Sequence, residues 1–245
     1  MPLQEELESQ GNFLFRYRGS LPIIVLIAAL LVFVQQVRSC DIPSLYFYLC
    51  FVTCLLGLAV RIYTVGHTPK NTSGRNTKSQ IADEINTTGI YSTVRHPLYV
   101  GNFFMWLGAA MLTHQLWFIL FFVAAYWIYY ERIMYAEEQF LRGKFGTQYL
   151  NWASQTPAFI PSITQFTSPK YSFSLKKVLQ KEINGLLNIF IVFTLFDLIY
   201  YYIKHQMIGM NDYFWLAGVI GSFVAYLILK IVSKNTTALV DEGRM

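Results

Sequence analysis

The chain has 245 residues, 54% of them hydrophobic and 17% aromatic, with only 13% charged and a formal net charge of +5. Soluble domains usually carry about 25% charged residues, so a water-driven globule is excluded in favour of apolar helices near the roughly 20 residues that cross a bilayer. The basic residues are spread over loops instead of forming a stripe, which argues against a nucleic-acid partner and for contact with anionic lipid headgroups.

In chain order, the first twenty residues are mixed in character. The apolar run after them has no small-residue cleavage site and is expected to stay as a helix, not to leave as a signal peptide. Spans are predicted over Leu21–Val37, Ser44–Val65, a short arm Leu98–Leu112, Leu116–Tyr130, Ile183–Ile203 and Tyr213–Val232. The expectation is therefore an all-α, polytopic integral membrane protein with about six transmembrane helices and a polar pocket at its cytoplasmic face. Three parts are expected: 1–65 with two helices, a central core over 66–165, and a C-terminal extension over 166–245 with two more. Cys40, Cys50 and Cys54 match no metal spacing and read as small packing residues.

With a cytoplasmic N-terminus, Arg16, Arg18, Lys70, Arg75, Lys78, Arg95 and the basic residues between Arg132 and Lys181 share one side with the tail, which carries Lys230, Lys234 and Arg244. Only Arg38 and Lys204 fall opposite, and Arg61 lies within a span. This positive-inside asymmetry puts both termini and the polar loops in the cytoplasm, of a bacterial inner membrane or the endoplasmic reticulum. Asn71 and Asn86 open Asn-X-Thr sequons that a cytoplasmic loop would not use.

His67–Thr93 is rich in Gly, Asn, Thr and Ser and reads as loop, with Thr68–Asn76 able to wrap a ligand through backbone groups. Pro97 suits the first position of a helix, which leaves His96 at the cap beside the positive dipole end, where a neutral imidazole is expected. Tyr91, Arg95, His96 and Tyr99 thus gather at one end of a hydrophobic hairpin, and Glu137-Glu138 at its return. Glu137 shares a helix face with Tyr130, Ile133, Met134 and Leu141, and a carboxylate there needs a partner or a ligand. Glu138 reads instead as a surface pair with Arg142, four residues on. Arg132 lies about 140° around the helix from Glu137 and either meets a substrate anion or snorkels to phosphates. Tyr149 and Trp152 read as interfacial anchors, and Asp197 within a span as a hydrogen-bonded helix contact, perhaps to a tyrosine—a functional role being the alternative.

The ordered set Thr88-Gly89-Ile90-Tyr91, Arg95-His96-Pro97-Leu98-Tyr99-Val100-Gly101, Glu137-Glu138, Leu141, Phe145-Gly146, Tyr149, Pro157 and Ile160-Pro161 resembles the isoprenylcysteine carboxyl methyltransferase family, over roughly Arg61 to Pro161. The resemblance implies S-adenosylmethionine as cofactor, touched by Tyr91, His96, Pro97, Leu98, Tyr99 and Glu137, wrapped by Asp83, Glu84, Ile85 and Asn86, with Asn76 a further candidate. Ile133 stands where the eukaryotic members carry an arginine assigned to substrate, and Arg132 is its neighbour. The implied activity is methylation, O-methylation of a carboxylate or phosphate in particular, on a lipid or prenylated acceptor, with Arg95, Arg132 and Glu137 as the catalytic set. Phospholipid amine N-methylation, a reductase on a similar core, and a non-catalytic scaffold or transporter are the alternatives. No internal repeat supports transport.

Overall fold

The computed structural model describes residues 2–69 and 80–239. Its helices are α1 (Leu3–Tyr17), α2 (Leu21–Ser39), α3 (Ser44–Gly66), α4 (Pro97–Met111), α5 (Leu116–Phe145), α6 (Thr147–Ala153), α7 (Leu175–His205) and α8 (Tyr213–Asn235). Five of them, α2, α3, α5, α7 and α8, are long and apolar enough to cross a membrane. The sixth expected span, α4, has 15 residues; at about 1.5 Å per residue it is about 22 Å long, short of a full hydrocarbon crossing of about 30 Å. The fold is that of an all-α, polytopic membrane protein, with five membrane-length helices among the described residues and the shorter α4 packed between them.

Helix ends follow local chemistry. Pro97 opens α4 with His96 at its cap, where a missing N–H costs nothing. The Ser174 side chain accepts from the backbone N–H of Lys177 to start α7, and Asp212 accepts from Phe214 to start α8. Gly146, with φ of 53° and ψ of −126°, turns the chain between α5 and α6, a backbone region open essentially to glycine alone.

The centre of the bundle is the α3–α4 pair. A Cβ on Gly57 would collide with the carbonyl of Gly101, and one on Gly108 with the carbonyl of Cys50 and the Sγ of Cys54. Small residues therefore let the two backbones approach, which is how helices associate where lipid removes the hydrophobic drive. Cys50 and Cys54 are buried here as packing residues, with Cys54 Sγ donating to the Met105 carbonyl at 3.1 Å. α7 packs on α3, α2 and α8, and α5 packs on α4, α6 and α1.

Two charges left within spans by the sequence find partners. Arg61 donates from Nε and Nη2 to both oxygens of Glu182, each at 2.8 Å, and from Nη1 to Asn102 Oδ1 at 2.6 Å. Asp197 accepts from the backbone and side chain of Asn211 at 3.0 and 3.1 Å and from the backbone of Asp212 at 3.4 Å, so its hydrogen bonds tie the α7–α8 turn instead of reaching a tyrosine.

Candidate active site

The N-terminal ends of α4 and the far half of α5 converge. Between α3 and α4, residues 88–96 run as irregular backbone with one 3-10 turn, Ile90–Ser92. A returning segment after α6 satisfies it. The amides of Arg95 and His96 donate to the carbonyls of Pro157 and Ala158 at 2.8 and 3.2 Å, and that of Gly89 to the Thr167 carbonyl at 3.0 Å, while Ser162 donates back to the Thr93 carbonyl at 2.9 Å. This strap fixes His96 at the mouth of α4, the residue 7% exposed.

From there the imidazole reaches across to α5. His96 Nε2 lies 2.9 Å from Glu138 Oε1, and Nδ1 lies 3.6 Å from Glu137 Oε2. One turn into α4, the Tyr99 hydroxyl donates to Glu137 Oε1 at 2.6 Å. The floor is aromatic: Tyr99 and Tyr130 rings are 4.8 Å apart, and Tyr130 and Tyr126 stack at 4.2 Å. The Tyr126 hydroxyl donates to the Tyr99 carbonyl at 2.7 Å. His96, Tyr99 and Glu137 thus meet at two helix ends, with Tyr99 hydrogen-bonded to Glu137 and His96 hydrogen-bonded to Glu138 beside it.

Several expectations are corrected. A neutral His96 was expected from the helix dipole alone. Burial does press its pKa down, but hydrogen bonds and charge from Glu137 and Glu138 outweigh it and raise the value above the ordinary 6.5. Glu138 does not sit on the surface with Arg142. It accepts from Arg95 Nε at 2.8 Å and Nη2 at 3.3 Å as well as from His96. Arg95, expected to face an acceptor anion, also donates through Nη1 to the carbonyls of Ala153 and Thr156 at 2.7 and 2.6 Å. It clamps α4, α5 and α6 together. Tyr149 is buried, and Trp152 donates to the Tyr91 carbonyl at 3.1 Å, so both pack inward instead of anchoring the chain at an interface.

Other candidates sit at varying distance from this cluster. Pro97 is buried and Leu98 half-buried beside it. Burial, and then the charge of Glu137, push the Tyr91 phenol upward. Glu84 is held by Lys170 at 3.1 Å and by the Tyr171 hydroxyl, and Asn86 Oδ1 accepts from the Thr88 amide at 3.5 Å. Asp83 is exposed and Ile85 half-buried on the same stretch. Asn76 lies outside the described residues. Arg132 lines another wall: it donates to Gln10 Oε1 at 2.9 Å and to the Ile128 carbonyl at 3.0 Å. There it heads a mainly apolar groove of about 950 Å³ between α1 and α5.

The sequence reading missed α1. Its Leu3, Leu7, Gly11, Leu14 and Phe15 recur at helical spacing, a signal obscured by the charged residues among them. Gly11 lies against the Arg132 carbonyl and the Ala136 Cβ of α5, Phe15 is buried, and Arg18 at the C-cap brings Nη1 to 3.6 Å from Glu137 Oε1.

Residues 46–148 match the family model for phospholipid methyltransferases. The chain is 40% identical over 78 residues to a protein-S-isoprenylcysteine O-methyltransferase of Schizosaccharomyces pombe, covering 31% of this chain and 33% of the relative. A protein of the same name from Tribolium castaneum is 29% identical over 111 residues, 45% and 40% of the two chains. A nickel-cobalt-cadmium resistance protein, NccN, of Alcaligenes xylosoxydans xylosoxydans is 34% identical over 85 residues, 35% and 39% of the two. The matched stretch spans between 33% and 40% of the length of these relatives. No solved structure matches. The helix ends that carry His96, Glu137 and Glu138 fall within the residues that match the phospholipid methyltransferase model, and it is over this central region that the chain is similar to the isoprenylcysteine O-methyltransferases.

Proposed function

We propose that this chain is an S-adenosylmethionine-dependent methyltransferase that O-methylates a lipid-borne or prenylated carboxylate or phosphate, with the active site at the cytoplasmic membrane face. The observation that carries the reading is the union of His96, Tyr99, Glu137 and Glu138 at two helix ends within the matched region. The charge asymmetry of the loops supports the cytoplasmic placement.

The residues suit such a cofactor. Glu137 is held by Tyr99 yet remains 23% exposed, so it offers a carboxylate to an ammonium group. The Tyr99 and Tyr130 rings beside it present the aromatic faces that attract a sulfonium-type cation. When bound, S-adenosylmethionine supplies a methyl group on a positively charged sulfur, displaced in line without acid catalysis. The chain's own work is then alignment and exclusion of water. Glu137 and Tyr99 fix the polar end of the donor, and Pro97 and Leu98 close the wall beside it. Arg95, through Glu138, fixes His96 and so the opening of α4. Arg132 is left to receive the acceptor's anion, by charge and shape, at the head of the apolar groove that takes its chain.

An amine acceptor would instead require a base at the reacting atom. The imidazole of His96 is a poor one, because both its ring nitrogens face carboxylates that favour its protonated form. That favours an acceptor already anionic over the N-methylation alternative.

The test is incubation of purified protein in lipid nanodiscs with radiolabelled S-adenosylmethionine and total membrane lipid extract. Label in a methyl ester of an acidic lipid is expected, and alkali releases a carboxyl ester's label as methanol. Label that resists alkali on an amine headgroup would select N-methylation. Absence of S-adenosylmethionine binding by calorimetry would refute the reading.

A further inference from the structure

The chain that returns from α5 carries a long run without charge. Between Lys144 and Lys170 stand 25 residues, and none of them is Asp, Glu, Lys or Arg. At the share of about 25% usual in soluble domains, a stretch of that length would hold about six. Within it Tyr149 and Trp152 turn inward. The strap that follows does the reverse with its large apolar side chains: Ile160 is 77% exposed, Ile163 82%, and Phe166 is exposed as well. Scattered apolar residues on a surface are ordinary. Three of them in seven residues of an uncharged segment call for an apolar neighbour.

The depth of the strap identifies that neighbour. Phe159, which precedes Ile160, puts its ring 5.6 Å from that of Trp127 and 5.9 Å from that of Phe103. Trp127 lies ten residues before Glu137 on α5, about 15 Å along the helix, and Phe103 six residues beyond Pro97 on α4, about 9 Å from its start. The Phe159 ring is therefore sunk beside two helices, well below the level of His96 and Glu137. Trp127 is itself exposed, on a helix of membrane length, so lipid surrounds its outer face and the strap shares those surroundings. The backbone of the strap suits them. Pro157 and Pro161 have no N–H to satisfy. Ser162 donates its amide to the Thr93 carbonyl at 2.9 Å, and Gln165 and Phe166 donate theirs to the carbonyls of Ser162 and Ile163 at 3.3 Å. Each such bond lowers the cost of irregular backbone beside hydrocarbon.

We propose that the strap is an interfacial lipid anchor, with Ile160, Ile163 and Phe166 among the acyl chains of the leaflet nearest the site. The same strap holds the Arg95 and His96 amides through the carbonyls of Pro157 and Ala158, so the anchor and the mouth of α4 belong to one piece of chain. The anchor needs neither cofactor nor acceptor, and its failure leaves the proposed reaction untouched.

The experiment places a nitroxide at Ile160→Cys and, separately, at Ile163→Cys. Both are made in Cys40→Ser protein, because Cys40 is exposed while Cys50 and Cys54 are buried. The protein is reconstituted in phosphatidylcholine nanodiscs. Spin relaxation by oxygen, which concentrates among acyl chains, is compared with relaxation by a nickel chelate, which stays in water. Leu120→Cys, on the exposed face of α5, gives the lipid reference. Oxygen access is expected to exceed chelate access several-fold at both strap positions, as it does at the reference. Chelate access equal to or above oxygen at either position puts the strap in water and overturns the anchor. Exclusion of both reagents overturns it too, and dipolar broadening lost on dilution with unlabelled protein would then mark a contact between copies of this chain. Unsubstituted protein provides a second readout. A carbene reagent confined to the bilayer is expected to label residues 159–166, and labelling of α5 without the strap overturns the anchor with no substitution involved.

Discussion

Replacement of Arg95 separates two roles that its position allows. The side chain makes two contacts to Glu138 at 2.8 and 3.3 Å and two to the carbonyls of Ala153 and Thr156 at 2.7 and 2.6 Å. Arg95→Ala leaves an acid and two carbonyls short of a donor at once. Breaking one side of a fully buried pair costs about 3–5 kcal/mol. Here the partners are 17% and 23% exposed, so water recovers part of the loss and about 2–4 kcal/mol is expected. For a chain of this size each kcal/mol moves Tm by about 2–4 °C, which makes a fall of about 4–16 °C in detergent-solubilised protein. Arg95→Lys recovers a minority of it, since an ammonium cannot fork between a carboxylate and two carbonyls. The assay is thermal unfolding followed by intrinsic fluorescence, beside acceptor KM. If Arg95→Ala melts within about 1 °C of wild type and only raises the acceptor KM, the clamp is wrong and the residue faces the substrate.

Arg132→Ala is expected to show the opposite signature: a several-fold rise in acceptor KM with little change in Tm, checked by the same pair of measurements. Glu137→Gln should weaken S-adenosylmethionine binding by roughly tenfold or more, through loss of a charge-assisted contact, with the fold retained on calorimetry and unfolding. Glu182→Leu removes an acid 4% exposed and leaves Arg61 with Asn102 but without its carboxylate; a loss of about 3 kcal/mol is expected, and the double replacement with Arg61→Leu should restore most of it in thermal unfolding. For His96, the folded pKa is raised above 6.5, so its ion pairs contribute full stability below about pH 6.5 and lose it as pH climbs through the folded value. Wild type should therefore exceed His96→Gln most at acidic pH, and a gap in Tm that widens with rising pH would contradict the pairing.

The parts of the site readable in sequence were those set by short-range rules. Pro97 at a helix start and an apolar stripe through Glu137 predict that His96, Tyr99 and Glu137 come together, as they do in the structure, because topology alone returns a membrane hairpin to the side it left. What escaped was long-range. Glu138 has an arginine four residues on, and the local rule selects it; the structure selects Arg95, 43 positions away, since the strap holds that guanidinium where Glu138 needs a donor. The same applies to Arg61, whose partner Glu182 is 121 positions distant. α1 was overlooked for a different reason. Its apolar face is narrow and serves one neighbour, α5, so hydropathy over a spanning window finds nothing there.

The shortness of α4 has a chemical use. With 15 residues against 30 in α5, it is about 22 Å long beside a partner of about 45 Å. It therefore surrenders part of the bilayer's depth to the irregular backbone that precedes Pro97. Such backbone is tolerated near hydrocarbon only where protein satisfies every polar group. The strap does this with amides and carbonyls from Pro157 to Thr167, and with the Ser92 hydroxyl accepting from the Thr167 amide at 2.9 Å. A full-length α4 would have carried His96 and Tyr91 out to water. On the proposed function, the shorter helix keeps them level with the tyrosines of α5, where a water-soluble donor and a lipid-borne acceptor would meet without either leaving its own phase.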